Sequence, residues 1–168
     1  GYAAAILSRI AQHVDTVERH AELSRISAAR LARLGYDNVV VHHADGTLGW
    51  PQGAPYDAIV VAAGGPTVPD ALLDQLAVGG RLVIPVGEER DLQTLVRVRR
   101  HADGSLERED LGDVRFVPLI GVQGWRGDEA EELRDARAPG RPESIASLLR
   151  ETAQRFDDVE TADHGPLL

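Results

Sequence analysis

Between residues 39 and 86 short apolar runs alternate with polar turns and one helical segment. The runs are 39–41 (VVV), 58–61 (AIVV) and 82–86 (LVIPV). Rich in Val and Ile and lacking polar alternation, they predict strands buried on both faces of a parallel sheet. Upstream, Ile6, Ile10 and Val14 recur at helical spacing, and a short strand at 14–17 ends in Glu18. Residues 21–34 then form an amphipathic helix stopped by Gly35. A helix is expected from Pro69 through ALLDQL, ended by Gly79-Gly80. Alternation over 92–99, a turn at 101–105 and a return over 114–119 predict an antiparallel hairpin at the sheet edge. The fold class is therefore α/β. Ligands of such sheets bind beyond the carboxyl ends of the strands. Asp45-Gly46, Gly64-Gly65-Pro66 and Ile84-Pro85-Val86 are thus expected to line one mouth.

Charge changes the picture after residue 126. Residues 1–126 hold 16 acids and 13 Arg, whereas 127–168 hold 11 acids and 5 Arg. We read 1–126 as one domain, 127–142 as a charged linker and 143–168 as the start of a second domain. A net charge of -9 without a basic stripe argues against a nucleic-acid partner. With no Cys there is neither a disulfide nor a thiolate metal site. No apolar run approaches the ~18 residues of a membrane span, so a cytoplasmic protein is expected. The chain holds no Met, from which residue 1 is read as lying inside a longer protein.

Two carboxylates carry the candidate chemistry. Glu18 ends the second strand of the expected fold, 17 residues after Gly1, near the ~20 between a glycine loop and a ribose-binding acid. It reads equally as an exposed acid heading a helix. Asp45 can accept from an adenine amino group while Gly46 permits close approach; Asp-Gly is also a common tight turn. His42 and His43 point to opposite faces of a strand and cannot share an ion, so no metal is expected. There is no nucleophile elbow.

The strings ERHAEL, NVVVHHADGTLGWPQGAPYDAIVV, VPDALLDQLAVGGRLVIPVG and RFVPL, taken in order, resemble the protein-L-isoaspartate O-methyltransferases. The resemblance covers residues 1–124. It implies a Rossmann-like class I S-adenosylmethionine-dependent methyltransferase sheet with a C-terminal antiparallel hairpin. It further implies S-adenosyl-L-methionine bound by Gly1, Glu18, Asp45 and Gly46, with Gly64, Gly65, Pro66, Ile84, Pro85 and Val86 bordering an isoaspartyl-containing protein or peptide. The implied reaction is protein repair by methylation of the free carboxylate of isoaspartyl residues. The family's first strand, most of its glycine loop and its acceptor-site segment have no counterpart here, so no catalytic residue is assigned. The tail from Ser144 resembles the opening of an erythromycin-esterase-like domain.

Two other readings stay open. One is an inactive methyltransferase-like module fused to a hydrolase; the other is a nicotinamide oxidoreductase, which would require a complete G-x-G-x-x-G. The missing strand belongs between the 14–17 and 58–61 strands. The 168 residues alone are therefore expected to show either a gap there or a central strand supplied by another segment, to aggregate and to be inactive.

Overall fold

The computed structural model describes residues 1–89 and 92–127. The chain divides into two units, Gly1–Arg126 and Gly127–Leu168. The expectations for a linker and a second domain lie outside the described residues, apart from Gly127.

In chain order the elements are α1 (Tyr2–Leu7), β1 (Val14–Glu18), α2 (Ala21–Arg33), β2 (Val39–His43), β3 (Tyr56–Val60), α3 (Asp70–Asp74), β4 (Leu76–Glu89), β5 (Leu92–Arg100) and β6 (Leu106–Val114). Two short 3-10 turns, Gly46–Leu48 and Pro51–Gly53, fill the connection from β2 to β3. β1 and β2 pair in parallel as one sheet, and β3-β4-β5-β6 form a second. In the second sheet β3 and β4 are parallel and the remaining pairs antiparallel. Among the described residues no ladder joins β1 to β3. The expected break falls there.

The core belongs to the second sheet. Leu82, Ile84, Val96 and Val98 alternate toward one face, where they pack with Leu72, Leu76 and Leu119. Leu82 with Val98, and Ile84 with Val96, are direct cross-strand partners, so each pair buries two branched side chains side by side. The opposite face carries Arg81, Arg97 and Arg99, with Glu107 and Glu109 on β6. Arg97 pairs with Glu109.

Four expectations need correction. β4 is longer than 82–86: it starts at Leu76, runs through Gly79 and Gly80, and ends at Glu89. The glycines mark a shift in its register with β3, as glycines inside strands often do. α3 is correspondingly short. The return strand of the hairpin is Leu106–Val114, not 114–119; its charged side chains disguised an edge strand, where charge guards against unwanted pairing. Finally, the parallel strands are not buried on both faces, since Val40 is 42% and Val60 54% exposed.

Among the described residues β1 and β3 are edge strands, and β3 carries the exposed Val60. Prepared as 168 residues alone, the protein should self-associate, and Val60→Lys should reduce that association. Light scattering on both forms checks this; a monodisperse monomer contradicts it.

Candidate functional site

The carboxyl ends of β1 and β2 lie side by side, with Glu18 opposite His43. Glu18 takes the backbone N–H of His20 on Oε1 at 2.9 Å. Gly1 caps α1, and its backbone packs against α2, where a Cβ would meet Leu31 Cδ1 at 3.3 Å. Its backbone nitrogen lies near the Glu18 carboxylate. Gly1 and Glu18 therefore share one end of the sheet.

Asp45 follows β2 and heads the 46–48 turn. Its Oδ1 accepts from Thr47 N at 2.8 Å and Thr47 Oγ1 at 2.7 Å. Its Oδ2 accepts from Val122 N at 2.8 Å. Burial by itself would raise the carboxyl's pKa. The N–H of Val122, the hydroxyl and N–H of Thr47 and the charge of Arg19 outweigh it and hold the group below its ordinary value. Gly121 must be glycine for this contact, since a Cβ there would fall 2.1 Å from Asp45 Oδ1. Gly46 is the opposite case: nothing lies within 4 Å of where its Cβ would stand. The space beside its backbone is open.

Val122 belongs to a strap, residues 119–125, that the sequence reading passed over. Gln123 N donates to Thr47 Oγ1 at 3.1 Å, and Gln123 Oε1 accepts from Ala71 N at 3.1 Å. Trp125 Nε1 donates to Gly64 O at 3.0 Å, and Leu119 N donates to the same oxygen at 2.8 Å. The strap thus touches the β2 loop, the start of α3 and the loop after β3. Its signal was present in two glycines flanking Val122-Gln123, followed by a Trp.

The second group of expected site residues is only partly at the surface. Gly64 and Gly65 are buried and bonded on both sides, Gly64 N to Val117 O and Gly65 N to Pro85 O. Close approach does occur there, but by the chain itself: a Cβ on Gly64 would lie 2.9 Å from the Gln93 side chain, and one on Gly65 2.9 Å from Thr67 O. Ile84 is wholly buried in the core and Pro85 is among the fully buried side chains, so neither side chain faces the mouth. As consecutive strand residues they point to opposite faces, and both faces are covered at this place. Pro66 and Val86 remain half-buried. Pro66 borders a cleft of about 620 Å³ whose far wall is Gln123 and Gly124.

A second cluster, also missed, braces the β2–β3 connection. Asp15 Oδ1 takes His42 Nε2 at 2.6 Å, and Tyr56 Oη lies 3.1 Å from Asp15 Oδ2 and 2.8 Å from Trp50 O. The Trp50 ring stacks on His42 with centroids 3.9 Å apart. Burial, then the hydrogen bond and charge of Asp15, push the Tyr56 hydroxyl up to about 12, so it keeps its proton as a donor. His43 turns elsewhere, to Arg19 O. Because Tyr56 is on β3 and Asp15 on β1, this contact spans the break between the sheets.

Residues 1–124 match the family described as protein-L-isoaspartate(D-aspartate) O-methyltransferase. The chain belongs to this family. A protein-L-isoaspartate O-methyltransferase of Rhodopseudomonas palustris is 59% identical over 140 residues, covering 83% of this chain and 64% of the relative. One from Pelobacter propionicus is 61% identical over 125 residues, covering 74% and 56%. The chain thus spans well under two thirds of their length at the lower figure and just under it at the higher. A solved protein-L-isoaspartate O-methyltransferase superposes with a TM-score of 0.67 at 30% identity, over 84% of this chain and 44% of that one. Another, from Plasmodium falciparum in complex with S-adenosyl-L-homocysteine, gives 0.55 at 29% identity, over 64% and 52%. The Rossmann-like methyltransferase sheet that the resemblance implied is consistent with the likeness to these solved structures.

Asp45's depressed pKa fixes a sign. Its contribution to stability is complete above the ordinary carboxylate pKa, near ~4, and is lost as pH falls through the lower folded value. Asp45→Asn should therefore melt lower at pH 7 and lose less on acidification below about pH 4. Thermal melts of both forms from pH 7 downward check this; parallel acid limbs contradict it.

Proposed function

We propose that this chain carries the cofactor-binding part of a protein-L-isoaspartate O-methyltransferase. The single observation that carries the reading is the placement of Glu18 and Asp45-Gly46 at neighbouring carboxyl ends of β1 and β2. S-adenosyl-L-methionine fits there. The Glu18 carboxylate can receive ribose hydroxyls, and the open flank of Gly46 gives an adenine ring room against the backbone. Bound, the cofactor supplies an electrophilic methyl group. The Plasmodium falciparum relative, solved with S-adenosyl-L-homocysteine, supports this choice of ligand.

The acceptor in this reading is the free carboxylate of an isoaspartyl residue in a damaged protein. A carboxylate is already ionised at neutral pH, so no general base is required of the chain. Its residues orient the two reactants and keep water out. Pro66 and Val86 border the acceptor; Gly64, Gly65, Ile84 and Pro85 act from behind as the rigid wall. We place this chemistry in the cytoplasm, in keeping with a chain without cysteine. One observation favours a second reading, a module that binds no cofactor: both oxygens of Asp45 are already engaged by the chain. Titration of the full-length protein with S-adenosylhomocysteine separates the two.

Glu18→Ala in the full-length protein should weaken cofactor binding by about 1–3 kcal/mol, the range for a charge-assisted hydrogen bond. Calorimetric titration measures it. An unchanged dissociation constant removes Glu18 from the ribose.

A further inference from the structure

The 46–50 loop that would receive the adenine has no ladder of its own. Its far end is held by the Tyr56 hydroxyl on Trp50 O, by the His42–Trp50 stack and, for the Leu48 carbonyl and the Trp50 N–H, by one side chain from the end of α3. Gln75 is 7% exposed and uses its whole amide: Oε1 accepts from Trp50 N at 2.8 Å, and Nε2 donates to Leu48 O and Ala71 O, both at 2.8 Å. The fit is reciprocal. Gly49 has φ +63, and a Cβ on it would lie 2.4 Å from Gln75 Oε1, so the glycine is set by the amide beneath it as well as by its backbone angle. Gln75 also fixes the start of β3, because its carbonyl accepts from Tyr56 N at 2.8 Å.

From these contacts we infer that Gln75 is a positioning residue for the cofactor loop. It touches no expected ligand. It acts by holding Leu48 and Trp50 from one side while Asp45, tied to Val122, holds the other end, so that Gly46 is presented with its open flank outward. Chemistry favours a neutral amide at this place. The loop offers an N–H and a C=O two residues apart and Ala71 adds a second C=O, so the side chain must accept once and donate twice while uncharged, which a primary amide does. A carboxylate in its stead would accept from Trp50 but set its second oxygen against the carbonyls of Leu48 and Ala71.

This inference rests on the cofactor reading above, and its test keeps the two apart. Wild type, Gln75→Leu and Gln75→Glu are prepared as full-length protein and titrated with S-adenosylhomocysteine. The KM values for S-adenosylmethionine and an isoaspartyl peptide are measured alongside. The expected result is a loss of affinity of about tenfold or more in both variants. The KM for S-adenosylmethionine should rise in parallel while that for the peptide stays within about twofold. Hydrogen exchange at residues 46–50 should quicken in whichever variant remains folded. A variant that melts at lower temperature yet binds as tightly as wild type overturns the inference, since Gln75 would then serve stability alone. If Gln75→Leu does not fold, the Gln75→Glu affinity decides by the same criterion. Should wild type itself fail to bind, the cofactor reading falls, and the inference falls with it.

Discussion

Loops at the ends of these strands contain N–H and C=O groups that no neighbouring strand pairs, and each one left both buried and unpaired costs roughly 1–3 kcal/mol. The molecule meets this constraint with side chains. Gln75 serves the 48–50 backbone, Gln93 accepts from Phe116 N at 2.8 Å, Gln123 accepts from Ala71 N, and Asp45 takes both Thr47 and Val122. Three of the four are neutral amides, buried or half-buried between elements. The placement of the loops, and so of any site built on them, depends on these polar contacts more than on apolar packing, which is concentrated under β4 and β5.

The two readings of Asp45 need not exclude each other. An ionised carboxylate has about four acceptor positions, and the chain occupies three. A turn residue bonded in this way is also a fixed one, which suits an acceptor aimed at a ligand. The same residue joins the β2 loop to the 119–125 strap, so the expected cofactor side and the cleft beside Pro66 are connected through a short run of hydrogen bonds.

Much of the fold was legible because apolar periodicity reports burial. VDTV, VVVHH and YDAIV are strands, and the 21–33 helix ends before Gly35 at φ 74. LEREDLGDV was illegible for the same reason: an exposed edge strand buries little, and its charges mask the alternation. At the candidate site, Glu18 and Asp45-Gly46 could be nominated, since their place after a strand carries the expectation. Gln75, Asp15 and His42 could not, because nothing local to each residue says what it will meet 25 or more positions away. The inward turn of Ile84 and Pro85 was hidden too, as a run apolar throughout does not say which of its residues lines a surface.

The chain holds two tryptophans, and the fold assigns them to different tasks. The Trp50 indole lies flat on the His42 imidazole at the base of the β2 loop, while the Trp125 indole hydrogen-bonds Gly64 from the strap. Their surroundings differ in kind, one a stacked imidazole and the other a backbone carbonyl. Intrinsic fluorescence therefore contains two built-in optical channels, one sensitive to the loop and one to the strap. Single Trp→Phe replacements would divide the emission between them without attaching any dye.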